Sequence, residues 1–260
     1  MVRGELTLNG GSAPSPRGLP PEVASILLPD INIIMEAPYR IIIMKFHPEM
    51  AKPFIEKADR IERNFLLLKD ESLSEKSMKN IAEINAKYSR IQKHCIPTLE
   101  KATGQKFPNP NLFYFVFLYQ EFSGLFNEAQ TQLSKISESP LTKSDFEEMK
   151  EISENRLTLA HIGDAALEIS VMPCIWQKSS ENTIPSKNFL HLERGKVVDN
   201  LPLSKYWDSL SLYDSSILIQ RPDENSETKG SNMESVFGII YLEHGVGAVE
   251  NALKNMMKCN

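Results

Sequence analysis

Apolar residues recur at intervals of three and four along most of this chain, and that period constrains the fold more than any other feature. From Glu49 to Lys69 they fall at Phe54, Ala58, Ile61 and Phe65, and from Leu73 to Glu100 at Ile81, Ile84, Tyr88 and Ile91. Phe113 to Phe126, Phe146 to Trp176, Lys187 to Val198 and Met233 to Lys258 carry the same pattern, separated by Pro, Gly, Asn and Ser clusters at 107–111, 137–140, 179–186 and 222–232. A period near 3.6 lays an apolar stripe along a helix, which must be buried against neighbours. The pattern predicts an all-α protein. Only the N-terminal edge departs from it: Ile31 to Met35 and Ile41 to Phe46, split by Ala37-Pro38, read as short buried strands or an irregular cover. Residues 1 to about 22 have Gly, Pro and Ser clusters without apolar periodicity and read as a flexible arm.

Composition narrows the functional classes. At 260 residues and 41% hydrophobic, the chain suits one large domain, or one domain with an extension. A formal charge of −5 gives no overall attraction for nucleic acid, so an RNA partner needs a local basic patch. Residues 76–106 supply seven bases against two acids, and Lys76, Lys79, Lys87, Arg90 and Lys93 form the candidate phosphate-facing strip. The same charges would equally serve as an ordinary solvated helix face. Cys95, Cys174 and Cys259 lack C-x-x-C or Cys/His ligand spacing, which argues against a disulfide scaffold or a structural zinc site. The most apolar stretch, Ile31 to Phe46, is 16 residues long and interrupted by Glu36, Pro38, Arg40 and Lys45. A spanning helix needs about 20 mainly apolar residues, so no membrane partner is expected. With no apolar signal region at the N-terminus, the expected location is the cytoplasm, or an organelle.

The candidate chemistry lies in two apolar runs that each contain carboxylates. In Leu157 to Glu168, LTLAHIGDAALE, the residues His161, Asp164 and Glu168 fall at i, i+3 and i+7 and share one helix face. An Asp among Ala, Ile and Leu is costly to desolvate unless a cation, a donor or water meets it. Asp164 is thus a candidate ligand, or a residue that hydrogen-bonds a neighbouring backbone. Ser231 to Tyr241, SNMESVFGIIY, sets Glu234 in a second such run beside a tight-packing Gly238. Two carboxylates on separate helices could share a hard divalent cation through oxygen ligands.

The segment Leu159-Ala160-His161-Ile162-Gly163-Asp164-Ala165-Ala166-Leu167-Glu168 resembles the signature helix of the ribonuclease III family, and most closely that of its minimal form, mini-ribonuclease III. Three other stretches agree in order. Leu99 to Leu112 (LEKATGQKFPNPNL) is similar to the family's opening motif, His191 to Asn200 (HLERGKVVDN) to the helix ending in Val-x-x-Asn, and Met233 to Gly245 (MESVFGIIYLEHG) to the last signature. The resemblance spans about Ile91 to Lys258, so residues 91–260 are expected to form a ribonuclease III endonuclease-domain fold and residues 1–90 an extra, mainly helical N-terminal extension.

The resemblance implies a magnesium-dependent endoribonuclease, with Mn2+ as a possible substitute, that cleaves double-stranded or structured RNA as a homodimer in RNA processing; DNA is not an expected partner. Asp164 and Glu234 match the catalytic and metal-binding acids, while the two other acids of the full cluster are replaced by Ala160 and Ser231. The minimal form resembles this chain at the first of those positions and is an active nuclease. Ser231, His161 and Glu168 are candidates for a supporting shell, with His161 either at a dimer seam or packed as an ordinary interface imidazole. The missing acids equally suit a catalytically inactive ribonuclease III-fold component that binds RNA or protein in a ribosomal or processing complex. Val116-Phe117-Leu118-Tyr119 replaces the family's Ala-Leu-Thr-His, and its aromatic surface predicts packing against the N-terminal helices. Fifteen residues follow Gly245, too few for the double-stranded-RNA-binding domain of larger members. The acid-rich segment Asp145 to Glu154 is expected to face away from RNA.

Overall fold

Helix ends coincide with residues whose side chains or backbone can satisfy the terminal amides and carbonyls. A computed structural model describes residues 48–67, 89–117, 141–179, 184–212 and 225–257, the strand residues 33–34 and 41–42, and single positions at 75, 79, 82, 86 and 131. The helices are α1 (Lys52–Leu67), α2 (Ile96–Thr103), α3 (Phe113–Phe117), α4 (Lys143–Lys150), α5 (Ile152–Gln177), α6 (Lys187–Val198), α7 (Asn200–Ser209), α8 (Ser226–His244) and α9 (Val246–Met257). Thr142 and Asp145 form a capping box at α4, Ser186 accepts from Phe189 N at the start of α6, and Asn225 accepts from Thr228 N at the start of α8. Helix α2 stops at Gly104, whose φ of 70° lets its N–H reach Glu100 O at 2.8 Å.

The chain divides at Lys45/Phe46 into two units. In the first, Ile33–Ile34 pairs antiparallel with Ile41–Ile42, with Ile33 opposite Ile42. In the second, the described residues form helices and no strand, as the apolar period predicts. Among the described residues no helix is long and apolar enough to cross a membrane. Residues 1–22, Lys76 and Lys87 lie outside the described residues.

Helix α5 is the axis of the second unit. It packs most extensively on α8, and α6, α9 and α3 also lie against it, while α7 packs along α8. At the crossing of α5 and α8 the backbones touch. A Cβ on Gly163 would stand 1.8 Å from Glu234 O, and one on Gly238 would stand 2.2 Å from Leu159 O. Two glycines facing each other remove the side-chain layer that normally keeps helix axes about 8–10 Å apart.

An aromatic chain fills the space between α1, α3 and α7. Phe65 stacks on Tyr114 at 5.6 Å, Phe54 meets Phe115 edge-on at 6.2 Å, and Phe117 lies 5.5 Å from Trp207. The aromatic surface of α3 thus meets the N-terminal helix through Tyr114 and Phe115, whereas Phe117 turns to α7; Leu118 and Tyr119 lie outside the described residues. Helix α1 also covers the acid-rich segment. Lys57 Nζ reaches Glu151 at 2.6 Å, Arg60 Nε reaches Glu148 at 3.0 Å, and Asn64 Nδ2 donates to Asp145 at 3.4 Å. Helix α1 therefore packs within the same unit as α2–α9.

Candidate functional site

The glycine crossing determines where the carboxylates stand. Asp164 follows Gly163 on α5, and Glu234 contributes the carbonyl that Gly163 touches, so the two acids emerge side by side from helices in backbone contact. Both are half-buried and line one open cleft of about 790 Å³. Burial, together with the negative charge of Asp164, pushes the Glu234 carboxyl up to about 7, against the lowering effect of a hydrogen bond from Ser231. Burial and the facing charge thus favour a retained proton on Glu234 in the absence of a cation.

The other residues singled out by sequence are distributed unevenly. His161 and Glu168 line the cleft from the same face of α5, and both are exposed. Ala160, one of the two replaced acids, is 5% exposed and lines the cleft with a methyl group. Ser231, the other, is one turn before Glu234 and bonds it. Of the basic strip, Lys79, Arg90 and Lys93 are exposed, and none lines the cleft.

The opposite wall was missed by sequence reasoning as a source of function. It consists of Arg194 and Val198 from α6, Asp199 at the α6–α7 corner, Asn200 and Leu201 from α7, and Ser226 at the start of α8. Arg194 Nη1 donates to Glu168 at 2.5 Å and Nη2 to Asp199 at 3.3 Å. Arg194, Asp199 and Asn200 all lie in a motif already noted, but the available signal, charged residues where one helix ends and the next begins, gave no spacing rule tying them to Asp164.

Chemically, the cleft offers oxygen donors to a hard cation: the facing carboxylates of Asp164 and Glu234, with those of Glu168 and Asp199 already bonded to Arg194. Among the described residues no group of three or more His, Cys, Asp or Glu is placed to hold a metal, so any ion here would be held by two carboxylates and complete its shell with water. Comparison with known proteins yields no match, whether to a family model, a curated protein or a solved structure.

Proposed function

We propose that this chain is a magnesium-dependent endoribonuclease of the ribonuclease III type, acting on double-stranded or structured RNA in RNA processing, in the cytoplasm or an organelle. The observation that carries this reading is the Asp164–Glu234 pair, held in one cleft by the Gly163–Gly238 crossing. Its donors fit Mg2+ or Mn2+, and the Glu234 carboxyl is raised first by burial and then by the facing charge of Asp164, a charge that a cation would offset. When bound, the ion would supply a water of lowered pKa and offset charge at the phosphate. Asp164 and Glu234 would hold the ion, and Ser231 orients Glu234 by its hydrogen bond. Lys79, Arg90 and Lys93 supply exposed positive charge for the phosphate backbone.

A homodimer belongs to this reading. Leu157, Ile169, Met172 and Trp176 follow one another along α5 at 40–57% exposure, and Leu192 of α6 is 63% exposed. Ile169, Met172 and Trp176 share one face of the central helix, which suits a second copy related by a two-fold axis. Leu157 also lines the cleft, which brings such a partner to its rim.

One observation favours a second reading, an inactive RNA- or protein-binding component of a ribosomal or processing complex. Ala160 and Ser231 leave the cation only two carboxylates, and low ligand charge weakens hard-metal sites. Incubating the chain with long double-stranded RNA and Mg2+, beside Asp164→Asn, separates the two. Cleavage abolished by the substitution supports the enzyme; intact RNA with retained binding supports the second reading.

A further inference from the structure

Among the described residues four carboxylates line the cleft, Asp164, Glu168, Asp199 and Glu234, against one guanidinium, that of Arg194. The guanidinium bridges two of the four, Glu168 from α5 and Asp199 from the α6–α7 corner. A planar fork with donors in fixed directions suits such bridging better than an ammonium does.

Asp199 is committed to this contact. It occupies the N-cap position of α7, where an Asp side chain normally accepts a backbone N–H of the first turn, yet it makes no capping bond. Its carboxylate is turned back over α6, so close to Gly195 that a Cβ there would stand 2.7 Å from Oδ2. Glu168 lies one turn beyond Asp164 on the same face of α5, and its side chain is 51% exposed, so it has room to swing along the helix. The acids therefore form two pairs: Glu168 with Asp199, joined by Arg194, and Asp164 with Glu234, which face each other.

We propose that Arg194 is a positioning residue that limits the cleft to one divalent ion, by occupying the two carboxylates that would otherwise hold a second. The inference rests on the reading of Asp164 and Glu234 as a metal pair. With Arg194 in place, Glu168 and Asp199 are bridged, half of their charge is offset, and both are drawn to α6. Without it, the described residues leave the cleft four carboxylates whose charge no guanidinium offsets, which favours a second cation.

The test counts bound Mn2+ per chain by electron paramagnetic resonance of the intact protein, with thermal melting to show that each variant is folded. Wild type should bind one ion. Arg194→Met should bind two, and adding Glu168→Gln to it should return the count to one. Arg194→Gln carries the same expectation as Met, should that variant melt early. An Asp164→Asn chain should bind none. If Arg194→Met and Arg194→Gln bind one ion like wild type while Asp164→Asn binds none, the role of Arg194 is overturned and the metal pair stands. If wild type binds none, or Asp164→Asn still binds one, the metal pair itself is overturned and the inference falls with it.

Discussion

The backbone carbonyl of Glu234 occupies the space into which any side chain at Gly163 would project, 1.8 Å from the position of a Cβ. Neither atom is the end of a flexible chain, so the only accommodation is to move α5 and α8 apart. Gly163→Ala should therefore cost more than the ~1 to 3 kcal/mol typical of overpacking, and Gly238→Ala, at 2.2 Å from Leu159 O, should behave alike. Both should also weaken Mn2+ binding, because separating the helices separates Asp164 from Glu234. Urea denaturation and a Mn2+ titration of each variant check the two effects; an Ala variant as stable as wild type would mean the helices do not touch.

Glu234 makes stability fall as pH rises. Its folded carboxyl titrates at about 7 and an unfolded one near 4.5, so between those values the folded state binds more protons than the unfolded state. The stabilisation is complete below pH ~4.5 and is lost as pH rises through about 7. After allowance for solvent screening at a half-exposed group, it is on the order of 1 to 2 kcal/mol. Glu234→Gln should flatten this pH dependence and raise the melting temperature at pH 8 without metal. Divalent ions need the deprotonated pair, so Mn2+ affinity should strengthen from pH 6 to 8 with release of up to one proton per ion. A pH-independent affinity measured by calorimetry in two buffers would contradict this.

The helices and the two facing carboxylates were legible in sequence for the same reason: both are local departures from, or repeats of, a 3.6-residue period. Asp164 and Glu234 stand out because carboxylates rarely sit in apolar runs, and Gly238 drew notice as a small residue in the same run. Arg194 did not stand out. Its contacts to Glu168 and Asp199 depend on the angle at which α6 turns into α7, which no spacing rule encodes. The acid-rich segment from Asp145 to Glu154 was equally opaque: nothing local shows that Lys57, Arg60 and Asn64, some 81 to 94 positions away, lie against it.

That α1 contact yields a graded prediction. Phe65 is fully buried against Tyr114, so Phe65→Ala should cost about 3 to 5 kcal/mol through the cavity it leaves. Arg60 pairs with Glu148 at the partly exposed edge, so Arg60→Ala should cost about 1 kcal/mol or less. Both should leave the Mn2+ count unchanged, since neither residue lines the cleft. Equal costs in chemical denaturation would mean that α1 is held by its charges rather than by its aromatic face.

Glu243 and Asn109 tie the end of α8 to the loop before α3. Glu243 Oε1 accepts from Asn109 N at 3.1 Å and from Asn109 Nδ2 at 2.9 Å, while Oε2 is buried without a hydrogen-bond partner among the described residues. The side chain is 2% exposed, and burial pushes its carboxyl up despite the Asn109 bonds and the neighbouring His244, which itself bonds Lys106 O. A raised carboxyl contributes stability that is present at low pH and lost as pH rises through its folded value. Asn109→Ala removes one of the two donors that make the charged form tolerable, so it should cost about 1 to 3 kcal/mol where Glu243 is charged and less where acid keeps it protonated. Glu243→Gln keeps an acceptor for Asn109 and removes the buried charge, so it should be neutral or stabilising at pH 8. Denaturation of both variants across a pH series decides it, and an Asn109→Ala cost that does not change with pH would show that the bond to Glu243 does not depend on its charge.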